Sequence, residues 1–183
     1  MFESLERNFS LIIAFILPGF LFLFGSVFLV TYSTADLVSQ LRPIRQIGGF
    51  MFFLLAATAC GMILSAIRWA ILDTFHYLTG LRSPPLDFAK LEGKSSSFML
   101  TVENNYRYYL FYGNSLIAML GLFVVAWLED VPLATRWLTI LISLMGVLFL
   151  ASRDSLRRFY IRTSQIIGSP NDTLRKSNRR RRR

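Results

Sequence analysis

The chain has 183 residues, 54% apolar and only 17% charged, with 20 Lys and Arg against 11 Asp and Glu for a formal net charge of +9. That balance excludes an ordinary soluble domain, in which about a quarter of residues are charged. One Cys excludes a disulfide framework, and with one His it excludes the usual zinc and haem sites, so no cofactor or metal is expected.

Apolar residues arrive in four blocks, Leu11–Val30, Gly48–Ile67, Tyr108–Leu128 and Val131–Ala151. Each is about 20 residues, enough to cross ~30 Å of hydrocarbon at ~1.5 Å per residue. The expected fold is all-α: an integral membrane bundle of four transmembrane helices over 1–151, followed by a basic tail over 152–183. Met1–Phe9 is a short leader with Glu3 and Glu6 suited to a positive helix start. The first block is too long for a signal-peptide core and no small-residue cleavage site follows at Thr31–Asp36, so it reads as a retained signal anchor. Pro18-Gly19 should loosen this span, which a membrane helix tolerates when a neighbour satisfies the freed carbonyl.

Arg42-Pro43 marks a turn before the second span. There Ala57, Gly61 and Ser65 stand four apart on one helix face, a pattern for close helix packing. This helix is expected to continue through Arg68-Trp69 to about Leu78 and to end at Thr79-Gly80. Ser83-Pro84-Pro85, Gly93 and Ser95-Ser96-Ser97 describe a loop within 68–107, with helix resuming near Phe98 or Thr101. The short turn Glu129-Asp130-Val131-Pro132 makes spans three and four antiparallel neighbours. Arg153–Ile167 reads either as a helix along the inner membrane surface or as a continuation of the fourth span. Gly168-Ser169-Pro170 separates it from a terminal segment expected to be disordered after about 168.

Four crossings put all the basic residues except Arg42, Arg45 and Arg136 on one side. Basic residues resist translocation, so both termini are expected in the cytoplasm, in a bacterial inner (plasma) membrane. From Ser152 onward only Asp154 and Asp172 oppose the basic residues, and this tail carries the whole net charge.

Three groups of residues are candidates for function. Arg68, Asp73 and His76 in the second helix could join Glu103, Arg107 and Asn114 in one interfacial polar network or pore mouth. Asp73 and His76 are i,i+3, so the carboxylate could orient the imidazole; Glu103 and Arg107 are a favourable i,i+4 pair. Asn114 falls inside hydrocarbon and should face protein or a water-filled cavity. Ala57, Gly61 and Ser65 form the packing stripe. Arg157, Arg158, Arg162, Arg175, Lys176 and Arg179, Arg180, Arg181, Arg182 and Arg183 suit an anionic surface, with lipid head groups favoured over nucleic acid because no aromatic residue is interleaved in Ser177–Arg183.

No Gly-rich phosphate loop or serine elbow is present. The expected function is that of a non-enzymatic membrane protein that forms homo-oligomers or a membrane complex, or anchors a cytoplasmic protein partner. The alternative is an oligomeric pore or membrane-perturbing effector, of the kind found in bacterial defence. An intramembrane or lipid-modifying enzyme built on Asp73, His76 and Glu103 stands third.

Overall fold

The computed structural model describes residues 12–34, 47–84, 91, 95–132 and 135–167, with the backbone alone at 31–34, 103 and 104. The leader, the turn at Arg42-Pro43, residues 85–90 and 92–94 of the loop, and the chain beyond Ile167 lie outside these residues. Among the described residues the regular structure is all helical, and four helices are long and apolar enough to cross a membrane. The chain is a multi-pass membrane protein.

Helix α1 opens on a π-type turn, Ile12–Ile16, and continues as an α-helix over Leu17–Thr34. Helix α2 spans Ile47–Leu78 with a π-type turn at Trp69–Asp73. Helix α3 joins Ser95–Thr101, a π-type turn at Val102–Tyr106, and Arg107–Leu128. Helix α4 is Thr135–Ile167, 33 residues, on the order of 50 Å at ~1.5 Å per residue and so longer than a bilayer's core is thick.

Two helix ends share one device. After α2, Gly80 takes a left-handed φ of 89°, Gly80 N–H bonds the Tyr77 carbonyl at 3.1 Å and Leu81 N–H bonds that of His76 at 2.9 Å. After α3, Asp130 takes φ 49°, Asp130 N–H bonds Trp127 and Val131 N–H bonds Ala126. Both are Schellman motifs, in which the two residues past the helix turn back to satisfy its last carbonyls. The second accounts for Val131 lying outside α4: its N–H closes α3. The described part of α3 starts at Ser95, earlier than Phe98, and includes the three serines.

The bundle packs where side chains are small. A Cβ at Gly19 would lie 1.9 Å from the Ala57 carbonyl oxygen, and one at Gly61 would lie 2.0 Å from that of Phe15. Backbones of α1 and α2 therefore touch, which only glycine permits. Helix α3 touches α1, α2 and α4. At the end of the bundle where α2 and α4 finish, Ala14, Tyr109, Leu110 and Leu156 form a core, with Leu81, Tyr106, Phe159 and Tyr160 packed on it.

Arg153–Ile167 is the uninterrupted continuation of α4. Its inner face, Ser152, Leu156, Thr163 and Ile167, is buried, and this part of the helix packs against the first turns of α3. The face offered by Leu156 and Phe159 to a lipid surface is thus committed to protein: Phe159 meets Tyr106 with ring centroids 5.1 Å apart.

Candidate functional site

The site is built around Arg68, the last residue before α2's π-type turn. In a regular α-helix two residues five apart point about 140° away from each other, at ~100° per residue. The wider turn over Trp69–Asp73 removes most of that divergence, and π-bulges of this sort recur at functional positions. Arg68 Nη1 donates to Asp73 Oδ1 at 2.6 Å. The same Nη1 donates to Tyr109 Oη on α3 at 2.5 Å, and the Tyr109 hydroxyl donates in turn to Asp73 Oδ1. The guanidinium carbon also lies 4.7 Å from the Tyr109 ring centroid, over its face.

Arg68 is 4% exposed and Tyr109 1%, whereas the Asp73 side chain is 32% exposed. A guanidinium so deeply buried requires a charged partner, because removing its counter-charge leaves the full desolvation penalty. Gly113 makes room for it: a Cβ there would meet Arg68 Cδ at 2.6 Å. Tyr109 was not legible in the sequence, where it sits among Tyr106, Tyr108 and Tyr112. Tyr108 is 49% exposed and stacks along the helix on Tyr112.

His76 joins this group by packing and not by hydrogen bonding. It is 1% exposed, its ring meets Tyr109 edge-on at 6.2 Å and Phe149 at 5.4 Å, and neither ring nitrogen has a hydrogen-bond partner. The expected hydrogen bond by which Asp73 would orient the imidazole is not made in this geometry: both bonds to Asp73 end on Oδ1, from Arg68 and Tyr109, and neither His76 nitrogen reaches the carboxylate. One turn beyond, Arg153 of α4 donates to Thr79 Oγ1 at 2.8 Å and to the Thr79 carbonyl at 3.1 Å. A cation is favourable at this helix C-terminus, and it fastens α4 to α2.

Asn114 is fully buried, and its Nδ2 donates to the Ala14 carbonyl at 2.8 Å. Pro18 has no N–H to return to that carbonyl four residues earlier. The α3 amide thus supplies a donor to the carbonyl that Pro18 cannot serve. Arg107, half-buried, begins the long α-helical part of α3, and the Glu103 side chain lies outside the described residues. The structure therefore brings Arg68, Asp73 and His76 together with Tyr109, and sets Asn114 of α3 against α1.

Within the packing stripe, Ala57 is fully buried, Gly61 lies on Phe15 of the same chain, and Ser65 faces an apolar groove. Arg157, Arg158 and Arg162 are exposed on α4, Arg158 paired with Asp154 at 2.7 Å. Arg175, Lys176 and the arginines from 179 to 183 lie outside the described residues. Among the described residues no group of His, Cys, Asp and Glu could hold a metal ion.

Compared with protein families, with curated proteins and with solved structures, the chain matches none.

Proposed function

We propose that the chain is a non-enzymatic multipass protein of a bacterial inner membrane, both termini in the cytoplasm, that anchors a cytoplasmic partner. The observation that carries this reading is α4. Its last turns extend past the apolar stretch, bury Ser152, Leu156, Thr163 and Ile167 against α3, and leave Arg157, Arg158, Ile161 and Arg162 exposed. A rigid basic helix standing on a membrane bundle is a platform for an acidic protein surface or for anionic head groups. The orientation follows from the uneven distribution of basic residues.

Self-association has less support than anchoring, because Ala57 and Gly61 are occupied by α1 of the same chain. A pore with Asn114 in its pathway has less still. That amide is enclosed and bonded to the Ala14 carbonyl.

The test replaces Arg157, Arg158 and Arg162 together by Gln, exposed positions whose change leaves the bundle folded. A partner cross-linked to the wild-type protein in native membranes should be lost from the variant. Equal recovery of every cross-linked protein from both would refute the platform. Alkaline phosphatase fused after Arg183 should be inactive, and activity there would reverse the orientation.

A further inference from the structure

One titratable side chain takes no part in the bonds of the site. The chain holds a single His, and imidazole is the side chain whose ordinary pKa, about 6.5, falls between pH 5 and 8. His76 is buried, and both ring nitrogens are enclosed without a hydrogen-bond partner. The ring borders a cavity of about 480 Å³ shared with Asp73, Arg82, Tyr106 and Tyr160, but the nitrogens are shut off from it. A proton therefore reaches them only when the surrounding helices part.

What encloses the ring is the junction of α2 with α4. Phe149 of α4 sets its ring centroid 5.4 Å from that of His76 and 5.7 Å from that of Phe75. Tyr109 of α3 covers the imidazole edge-on. Nearby, Arg153 of α4 donates to Thr79 at both its hydroxyl and its carbonyl. The His76 carbonyl itself accepts from Leu81 N–H in the bonds that close α2. Exposing the imidazole thus means undoing the contact of Phe149 and the grip of Arg153.

The charges around this pocket do not suit an imidazolium. Among the described groups, Arg68 and Asp73 act on the ring from α2 and Arg153 acts from α4. Arg82 and the hydroxyls of Tyr106, Tyr109 and Tyr160 line the adjoining cavity. Asp73 favours a charged ring, but it is already paired with Arg68, and both Arg68 and Arg153 oppose one. Enclosed and without an acceptor, an imidazolium also bears a desolvation cost that the neutral ring escapes. The closed junction therefore holds the neutral ring: it is complete above the ordinary imidazole range and weakens as pH falls through about 6.5. We infer that the end of α2 is an acid-released clasp, in which protonation of His76 parts the last turn of α2 from Phe149 and Arg153 of α4. Leu156 and Phe159 keep the α4 extension on α3, so the opening is local. The inference rests on this junction alone and not on the anchoring role.

The test measures amide hydrogen exchange in the full-length protein in mild detergent at about pH 7.5 and about pH 5.5, each amide corrected for its intrinsic rate, so that protection reports local opening. Thr79, Gly80 and Leu81, whose N–H groups close α2, should lose about tenfold in protection, the most that one imidazole confers across this range. The amides of Leu116, Ile117, Ala118 and Met119, buried in α3, should keep theirs. His76→Gln, which cannot titrate, should show the same protection at both pH values. His76→Phe should do so as well, and serves if Gln in this pocket loosens the fold. Unchanged protection of Thr79, Gly80 and Leu81 in the wild-type protein, or the full acid loss in a folded variant, would overturn the clasp. An equal loss in the buried amides of α3 would overturn it too, since acid would then be unfolding the whole bundle.

Discussion

Helices α3 and α4 both cross the membrane length and have nearly the same mean hydropathy, yet half of α3's apolar stretch is buried within the protein and only 6% of α4's. Hydrophobicity does not decide which helix is central, because lipid tails are as apolar as leucine. Small and polar residues decide it. The buried side of α3 contains Gly113, Asn114, Ser115 and Ala118 beside Leu116 and Ile117; Gly113 admits the Arg68 side chain and Asn114 holds α1 by a hydrogen bond. Helix α4 presents Ile140, Ile142, Leu144 and Val147 outward and is fixed by what lies beyond them, from Ser152 to Ile167. The interior of the bundle is thus specified by shape and polarity, and the α4 extension by ordinary burial outside the hydrocarbon.

The most severe test of this contrast enlarges a glycine at the α1–α2 contact. Gly61→Leu forces a side chain into the Phe15 carbonyl, which is backbone and cannot swing aside. Parting two helices should cost about 3 kcal/mol, the upper end for overpacking. Unfolding of the detergent-solubilised protein in increasing SDS measures it, and a variant as stable as wild type would mean that the close approach does not hold the bundle.

Next comes the buried charge. Asp73→Asn leaves the Arg68 guanidinium without its counter-ion, at a cost of about 2 kcal/mol, reduced from the fully buried case because Asp73 is a third exposed. Arg68→Met should cost less, roughly 1 kcal/mol, since Asp73 then keeps water and Tyr109. The same unfolding assay ranks the two. The reverse order would show that the packing of the Arg68 side chain matters more than its charge.

A smaller effect isolates the Asn114–Ala14 bond. Asn114→Leu should cost about 1 kcal/mol, within the range for a buried hydrogen bond in a membrane protein. In a Pro18→Ala background the cost should fall, because residue 18 can then offer the Ala14 carbonyl an N–H of its own. The double-mutant cycle reads the coupling directly. Equal costs in both backgrounds would detach the amide from the proline.

Much of this was legible in the sequence, and the reasons differ by residue. Four apolar blocks and the stop at Thr79-Gly80 follow from composition and from glycine's freedom at positive φ. Pro18-Gly19 announces a freed carbonyl, and Asn114 announces a polar group that needs a partner. What the sequence withholds is that each answers the other, a pairing one hundred residues apart. Tyr109 is hidden for the same reason: its identity differs in nothing from that of Tyr108, and only the rotation of α3 against α2 selects it. The link between Arg68 and Asp73 is hidden by local geometry, since a five-residue spacing becomes a pair only through a π-type turn. The i,i+3 relation of Asp73 to His76 gives proximity along the helix but no hydrogen bond, while Asp73 is paired with Arg68 and Tyr109.

The smallest predicted effect bears on α4 itself. Ile142→Ala removes a side chain that is 60% exposed to the surroundings of the bundle. Its stability cost should therefore stay within about 0.5 kcal/mol, as for a surface change. Leu156→Ala, 4% exposed in the core that joins α4 to Tyr109 and Leu110, should cost about 2 kcal/mol or more. Both are measured in SDS at a protein concentration low enough to keep chains apart. If Ile142→Ala proves as costly as Leu156→Ala when chains are concentrated but not when dilute, the outer face of α4 is covered by a second copy, and the balance drawn above between anchoring and self-association shifts towards assembly. If it is equally costly at both concentrations, α4 is held along its whole length within one chain, and the contrast with α3 fails.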